Sequence, residues 1–346
     1  MTQKTRNILF TVTTLLFLIF APTVVFYSQG YRFDFDNFEI VQTGAFYFYV
    51  TPREAKISIT KKDQLVIEKE TSFFFGTSYI ENLIPQKYRV VVSKDGYHSW
   101  EKNLDVNPKK VTEANNITLL PKDLGFVVIE ENVLDFSNGV VTLDDSTYSI
   151  SGDIEDLPEE SIIDEDVLAY MISGKEVITL TKDGFIKKGS GVMKMKPLEI
   201  VEGVEYKLYY LNSIVVRADD DFYFLNKDLE YELLFSSPND PILSPDKNKL
   251  AYFNSNEIKV LFLSDLEQVF LTRVSKKIKD LYWLNSHYLI FNVSGEIKSI
   301  EIDNRDKVNT VDLEYIDHES IYFNQKNKKL YILSNNQLME SRKMVP

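Results

Sequence analysis

The segment from Ile8 to Tyr27 contains twenty consecutive residues without a charged side chain. A helix rises about 1.5 Å per residue, so this segment is roughly 30 Å long, which matches the hydrocarbon core of a bilayer. Lys4 and Arg6 precede it, and the positive-inside rule then places residues 1–7 in the cytoplasm and the chain beyond about residue 29 outside. We therefore expect residues 8–27 to be a single-pass transmembrane anchor that contacts membrane lipid.

A cleaved signal peptide is the alternative interpretation of the same segment. The apolar core of a signal peptide usually has about 7 to 15 residues and ends at a site with small side chains. Here the run is longer and ends in the bulky residues Val24, Val25, Phe26 and Tyr27. An uncleaved anchor is favoured, and under either interpretation the bulk of the chain is extracytoplasmic.

Composition excludes several classes of function. The 346 residues include 39 Lys and Arg against 52 Asp and Glu, and a net charge of −13 argues against nucleic acid as a partner. With no cysteine, disulfides, zinc ribbons and thiol catalysis are excluded. The acidity lies in residues 125–346, which carry 24 basic and 39 acidic side chains and a net charge of −15. A partner of this region is expected to be basic or neutral rather than anionic.

Residues 28–43 form an aromatic and acidic connector. Tyr27, Tyr31, Phe33 and Phe35 are candidates for an aromatic belt at the level of the lipid headgroups. Packing of the same side chains under the first domain is the alternative, and the sequence does not separate the two.

Residues 44–121 show short apolar alternations separated by turn signals, and no helical period is sustained. This pattern predicts a β-sandwich of six or seven strands. The expected strands are Ala45–Val50, Lys56–Thr60, Leu65–Glu68, Ser78–Leu83, Tyr88–Ser93 and Val111–Leu119.

Four segments of this region resemble the PEGA domain family. They are the strand–turn–strand segment Phe46–Ile59, the segment Leu83–Val92, the turn Lys94–Trp100 and the closing Leu119–Pro121. The resemblance implies an immunoglobulin-like sandwich of the kind found in bacterial surface and cell-envelope proteins. It also implies a role in binding or spacing, not in catalysis.

The sequence departs from the family pattern at two positions, and the same region contains two candidate interaction residues. Glu54 and Gln86 stand where the family usually has glycine, so the two turns are expected to differ there. Tyr97 and Trp100 flank the turn after Gly96, and we expect them to close one end of the sandwich as core aromatics. A platform on which a ligand stacks is the alternative.

Residues 125–346 are β-rich and repeat with a period near 40. Matching strand pairs begin at Leu250, Leu289 and Leu330, at offsets of 39 and 41 residues, and less regular copies begin at Leu168 and Ile214. A period near 40 is typical of four-stranded propeller blades. We expect a β-propeller of about six blades, with further β-sandwich domains as the alternative.

The segment Ser244–Tyr252 resembles the start of a blade in propellers of the Tol and prolyl-oligopeptidase types. The resemblance implies that Pro245 and Asp246 form the turn between the outer strand of one blade and the first strand of the next. Asn248 stands near the usual glycine, and asparagine tolerates the left-handed conformation that this turn requires.

The strongest candidates for chemistry are acidic. Asp219, Asp220 and Asp221 lie between two predicted strands, so we expect a solvated hairpin tip, with a Ca²⁺ site as the alternative. A second acidic cluster lies within residues 153–166. No Gly-x-Ser-x-Gly motif, phosphate-binding loop or histidine pair indicates catalysis or a cofactor, and His287 and His318 are expected to be structural.

These observations predict a non-catalytic binding or scaffolding protein of the bacterial cell envelope, whose propeller contacts an unknown envelope protein or glycan. A surface hydrolase or lyase with its site in the propeller channel is one alternative. A sensor is another, although about seven cytoplasmic residues leave no room for an effector domain.

Overall fold

The computed structural model describes residues 3–150, 166–173, 176–189, 191–193, 196–210, 213–226, 228, 230–318 and 320–345. The chain divides into two compact units. The first unit contains residues 1–123, 305–309 and 345–346, and the second contains residues 124–304 and 310–344. Apart from one N-terminal helix, the regular structure of the described residues is all-β.

The helix α1 spans Gln3–Ser28 and has no buried residue. Its length and apolar composition are sufficient to cross a membrane, and a signal sequence near an N-terminus would satisfy the same criterion. The hydroxyls of Thr11, Thr13 and Thr23 donate to the carbonyls four residues earlier, at 2.8–2.9 Å. These polar groups are therefore satisfied within the helix, as a hydrocarbon environment requires.

A short antiparallel hairpin follows the helix. Its strands are β1, Tyr31–Asp34, and β2, Glu39–Gln42. Gly30 turns the chain with φ 85°, and its carbonyl accepts the amide of Thr43 at 2.9 Å. The connector predicted over residues 28–43 is thus an ordered hairpin.

The first unit contains a β-sandwich of two sheets, one with the strand order β6-β3-β9 and one with β5-β4-β7-β8. Strands β3 and β9 pair in parallel, and the other pairs are antiparallel. Alternate residues of β3 face the core, so Phe46, Phe48 and Val50 are fully buried. The strands are β3 Gly44–Thr51, β4 Lys56–Lys61, β5 Gln64–Glu70, β6 Thr77–Leu83, β7 Lys87–Ser93, β8 Trp100–Asp105 and β9 Val111–Thr118.

Strand β8 was not among the strands predicted from the sequence. Its inward positions are Trp100, Lys102 and Leu104, and a lysine there hides the apolar alternation. Lys102 is 0% exposed, and its ammonium donates to the carbonyls of Arg305 and Lys307 at 3.0 and 2.7 Å. The buried charge is therefore satisfied by backbone oxygens.

The turn at Glu54 keeps the backbone that glycine would adopt. Glu54 has φ 56°, in the left-handed region, although the sequence indicated that losing glycine would alter the turn. The expected departure is wrong at this position, and Gln86 is not among the residues with positive φ.

The described residues of the second unit form six antiparallel sheets in sequence order, and the last sheet has the order β10-β32-β31-β30. The strand β10 is Val127–Glu131. The first two sheets are β11 Asp135–Ser137, β12 Val140–Thr142 and β13 Thr147–Ser149, then β14 Val167–Ser173, β15 Glu176–Thr181, β16 Ile186–Lys188 and β17 Gly191–Val192. The next two are β18 Tyr206–Tyr210, β19 Ile214–Ala218, β20 Asp221–Leu225 and β21 Tyr231–Ser236, then β22 Ile242–Leu243, β23 Lys249–Phe253, β24 Glu257–Phe262 and β25 Gln268–Arg273. The last two are β26 Ile278–Asn285, β27 Tyr288–Val293, β28 Glu296–Glu301 and β29 Thr310–Tyr315, then β30 Ser320–Asn324, β31 Lys329–Ser334 and β32 Gln337–Glu340.

First strands of neighbouring sheets contact one another at three junctions, between β14 and β18, between β26 and β30, and between β30 and β11. Consecutive four-stranded meanders joined through their first strands are the arrangement of a β-propeller, and they confirm the predicted propeller-like, all-β class. The number of blades stays a prediction.

Polar side chains on the first strands connect neighbouring sheets. The Tyr282 hydroxyl donates to the carbonyl of Ile321 at 2.9 Å, and the Trp283 indole donates to the carbonyl of Ile242 at 2.8 Å. Both partners lie on the first strand of an adjacent sheet. Trp283 is 1% exposed, so its indole is buried where it makes this hydrogen bond.

The turn Ser244-Pro245-Asp246 lies inside a sheet. It joins β22 to β23, the first and second strands of that sheet. The prediction that this turn joins the outer strand of one blade to the first strand of the next is therefore wrong. The left-handed residue is Lys247, with φ 59°, rather than Asn248. The Asp246 carboxylate accepts the hydroxyl of Ser244 and the ammonium of Lys249, which closes the turn.

We predict that Tyr282→Phe destabilises the second unit. The substitution removes the donor to the buried carbonyl of Ile321, and an unsatisfied buried acceptor costs about 1–3 kcal/mol. Urea unfolding followed by near-ultraviolet circular dichroism measures the loss. Tyr315→Phe is the matched control, because Tyr315 is 69% exposed and is expected to be neutral. Equal stability of the two variants would contradict the linking role of Tyr282.

Candidate functional site

The structure places the five candidate residues of the sequence in two different units. Trp100 is 4% exposed and belongs to the sandwich core, and Tyr97 is partly buried and packs against that core. Tyr97 also forms a backbone bridge with Pro121. These positions support packing rather than a ligand platform. Asp219, Asp220 and Asp221 belong to the second unit.

Asp219 and Asp220 form the tight turn between β19 and β20, and Asp221 begins β20. Asp219 has φ 52°, a conformation that aspartate tolerates better than most residues. Its amide donates to the carbonyl of Glu205, and its carboxylate accepts the amide of Glu205, both at 3.0 Å. Asp219 therefore fixes the chain just before β18 against the turn.

The other two carboxylates differ in how far they are engaged. The Asp221 carboxylate accepts the hydroxyl of Ser236, and the Tyr223 hydroxyl lies 3.5 Å from it. The Asp220 side chain is 63% exposed, and its nearest cation is the Arg217 guanidinium at 3.8 Å. Asp220 is therefore the carboxylate of this turn that is most open to a ligand.

A cavity of about 470 Å³ lies between this turn and the chain that precedes β18. The Tyr206 hydroxyl accepts the amide of Val201 at 2.8 Å and so holds the opposite wall in place. The residues that line the cavity combine carboxylates, two tyrosines and aliphatic side chains, and none of them is basic. They are Leu198, Glu199, Val201, Val204, Tyr206, Ala218, Asp219, Asp220, Asp221 and Tyr223. We call this cavity the acidic cleft.

Glu199 is the residue of the acidic cleft that the sequence did not indicate. It is exposed and lies 20 residues before Asp219, with no recognisable spacing to the aspartates. Glu199 comes near the turn only through the fold of residues 198–206, and no sequence motif predicts that fold.

The guanidinium of Arg217, the cation nearest to Asp220, is engaged by other groups. Arg217 donates to the carboxylate of Asp240, to the carbonyl of Asp219 and to the carbonyl of Pro238. Asp240 also accepts the hydroxyl of Tyr209 at 2.7 Å, and burial together with this carboxylate raises the pKa of Tyr209 to about 12. Arg217 is thus largely compensated by Asp240, and the acidic cleft keeps its negative charge.

Tyr223 supplies a neutral polar group beside these carboxylates. Burial raises the pKa of its hydroxyl, and the nearby Asp221 carboxylate raises it further. The phenol therefore stays protonated at neutral pH and can donate a hydrogen bond. Aliphatic walls, a phenol and several carboxylates suit a cation with an apolar stem, such as a lysine or arginine side chain.

Within the described part of the chain, no group of three or more His, Asp and Glu side chains is arranged to hold a metal ion. The Ca²⁺ alternative for Asp219–Asp221 stays a prediction. Most of the second predicted acidic cluster, residues 153–165, lies outside the described residues.

No protein-family model matches the chain, and no curated protein matches it. The PEGA resemblance therefore stays a prediction.

Solved structures match at low identity and with low TM-scores. The extracellular domain of a hybrid two-component system from B. thetaiotaomicron matches with 10% identity and a TM-score of 0.37 over 75% of this chain, which spans 39% of that chain's length. Kluyveromyces lactis Hsv2 matches with 10% identity and a TM-score of 0.33, over 85% of this chain and 72% of that one. The N-terminal domain of Nup159 matches with 11% identity and a TM-score of 0.32, over 48% and 52%.

We predict that Asp219→Ala destabilises the turn and that Asp219→Asn does not. Alanine loses the acceptor for the Glu205 amide and is strained at φ 52°, at a combined cost of about 1–3 kcal/mol. Asparagine keeps a side-chain oxygen and tolerates the left-handed conformation. Urea unfolding of both variants measures the difference, and similar losses in the two would contradict this role of Asp219.

Proposed function

We propose that this protein is a membrane-anchored, extracytoplasmic binding or scaffolding protein of the bacterial cell envelope, without catalytic activity. Its α1 helix holds it in the membrane, and its propeller-like unit binds a partner protein or glycan that is basic or neutral. The proposed binding site is the acidic cleft.

The acidic cleft is the observation that carries this proposal. It has a volume of about 470 Å³, and four carboxylates line it without a basic residue. The region around it is also acidic, with a net charge of −15 over residues 125–346. Such a field attracts cations and raises the rate at which a basic partner associates.

The engagement of the carboxylates favours binding over catalysis. Hydrolysis by a pair of carboxylates requires an acid and a base that face each other across the substrate. Asp219 and Asp221 are instead hydrogen-bonded to Glu205 and Ser236 within the fold. A surface hydrolase or lyase is the alternative, and turnover of peptide or glycan substrates by the purified protein would establish it.

We predict that the full-length protein in detergent binds a short oligolysine peptide through the acidic cleft. Asp220→Asn and Glu199→Gln are each expected to weaken binding about 1.4- to fivefold, because an exposed charge pair contributes roughly 0.2–1 kcal/mol. Isothermal titration calorimetry at two salt concentrations measures the affinity, which should fall as salt rises.

Asp145→Asn is the matched control for this experiment. Asp145 is an exposed aspartate in the turn between β12 and β13, outside the acidic cleft, and its substitution removes the same charge. Equal weakening by all three variants would show that only net charge matters and would reject the acidic cleft as the site. An unchanged affinity in Asp220→Asn and Glu199→Gln would also reject it.

The proposed orientation leads to a separate prediction. Protease added to intact cells should digest the chain beyond residue 43, whereas an epitope tag at the N-terminus should be protected until the membrane is permeabilised. Immunoblotting of the tag follows both states. Protection of the whole chain in intact cells would contradict the extracytoplasmic location.

A further inference from the structure

The hairpin β1–β2 carries a group of exposed apolar side chains next to the end of α1. Phe33, Phe35, Phe38 and Ile40 are 42%, 76%, 79% and 71% exposed, and we call them the hairpin face. Phe33 lies 4.9 Å from Phe35 and 6.3 Å from Phe38, measured between ring centroids. Three aromatic rings are thus clustered in solvent-accessible positions, and contiguous exposed apolar patches of this kind mark interaction sites.

The hairpin is held against the sandwich at three places. At its base, the carbonyl of Thr43 accepts the amide of Lys109, in the loop between β8 and β9, at 3.1 Å. Along β1, the Arg32 guanidinium donates to the side chain of Asn82 at 2.7 Å. Near the tip, Asp36 accepts the ammonium groups of Lys61 and Lys62 at 2.8 and 3.5 Å. The hairpin is therefore an ordered part of the first unit.

These three attachments lie at one end of the sandwich, the end where β3 begins. Gly44 pairs with Leu83, which follows Asn82 directly, and Lys61 ends β4 next to Thr60, which pairs with Arg89 near the start of β7. Since β7 begins just after β6 ends, all these positions meet at the same end. The hairpin consequently lies across the end of the sandwich that is nearest to α1.

The hairpin is also connected directly to the helix. The Arg32 guanidinium lies 3.5 Å from the ring centroid of Tyr27 and donates to the Tyr27 carbonyl at 2.8 Å. The rings of Phe26 and Tyr31 contact edge to face at 5.5 Å. The hairpin face thus begins only a few residues after the last turn of α1.

Asp34 and Asp36, near the hairpin tip, both accept hydrogen bonds or ion pairs, and Glu39, which pairs with Asp34, lies on the opposite face of the hairpin from Phe33 and Ile40. Lys61 and Lys62 oppose the carboxylate of Asp36. Asp34 is 4% exposed and accepts the amide of Asp36 and the side chain of Asn37 at 2.9 and 2.8 Å. Phe38 occupies the left-handed region with φ 54°, which is unfavourable for a bulky residue, so the turn itself does not explain an aromatic residue there.

We propose that the hairpin face lies in the lipid interface of the same bilayer that α1 crosses. Aromatic side chains are favourable at the boundary between headgroups and acyl chains, and burial of exposed Phe and Ile in lipid removes apolar surface from water. This inference rests on the proposed anchoring by α1. It gives the hairpin the role of fixing the sandwich against the membrane surface rather than leaving it on a free tether.

A second exposed aromatic group provides an internal control. Phe73, Phe74 and Phe75 are 63–71% exposed and precede Gly76, whose carbonyl accepts the amide of Val50 at the other end of β3. Val50 lies six residues along β3 from Gly44, so this loop is roughly 20 Å further from the base of the hairpin than Gly44 is. The proposal predicts lipid contact for the hairpin face but not for this loop.

The absence of cysteine allows a direct test by single labels. Phe35→Cys, Phe38→Cys, Phe74→Cys and Leu16→Cys each receive one nitroxide, and the full-length protein is reconstituted in phosphatidylcholine vesicles. Collision with oxygen, which is enriched in lipid, is compared with collision with a water-soluble nickel chelate. Labels at 35 and 38 should show the lipid pattern, the label at 16 a deeper lipid pattern, and the label at 74 the aqueous pattern.

The label at position 16 separates failure of the inference from failure of the anchor. An aqueous pattern at 35 and 38 with a lipid pattern at 16 overturns the hairpin inference and leaves the anchor intact. An aqueous pattern at 16 overturns both. Spin–spin broadening at 35 and 38 would show that a second copy covers the hairpin face, which also overturns the proposal. Unfolding transitions equal to that of the unsubstituted protein verify that the labelled variants are folded.

Discussion

The pairing of β10 with β32 is the constraint on which the second unit depends. Val127 pairs with Glu340 and Glu131 with Gln337, so residues more than 200 positions apart share one sheet. Closing so long a loop costs conformational entropy before any contact compensates for it. Once formed, the pairing places the start and the end of the unit in the same sheet, and the intervening sheets must pack between these two fixed ends.

Links between neighbouring sheets maintain that order locally. Tyr282 and Trp283 each donate to a carbonyl on an adjacent first strand, in opposite directions along the chain. Because each of these hydrogen bonds involves a buried residue, Ile321 in the first and Trp283 in the second, its loss would leave a buried polar group unsatisfied. The acidic cleft is held by local contacts of its own, since two of its carboxylates lie in the turn between β19 and β20 and a third lies in a segment fixed by Tyr206.

Periodicity predicted much of this structure. The apolar run predicted α1, the alternating segments predicted most sandwich strands, and the 40-residue period predicted the propeller-like class, because each signal is local and repeated.

Strand β8 was missed because Lys102 occupies a buried position whose partners are some 200 residues away. The Ser244-Pro245-Asp246 turn was assigned between blades because a repeat fixes the period but not which strand is first. Glu199 was missed because only the fold brings it to Asp220.

Acidic side chains are compensated to different extents near the hairpin face and in the acidic cleft, and this difference bears on the proposed function. Near the hairpin face, lysines oppose Asp36, and backbone and amide donors satisfy Asp34. In the acidic cleft, Arg217 is compensated by Asp240, and Asp220 is left mostly exposed. A surface meant to lie against lipid must be free of uncompensated charge, because desolvating a carboxylate is costly. A surface meant to attract a basic partner must keep its charge, which acts over about a Debye length of 8–10 Å at physiological salt. The two surfaces therefore satisfy opposite electrostatic requirements within one chain, whose acidity lies in residues 125–346, the region that contains the acidic cleft.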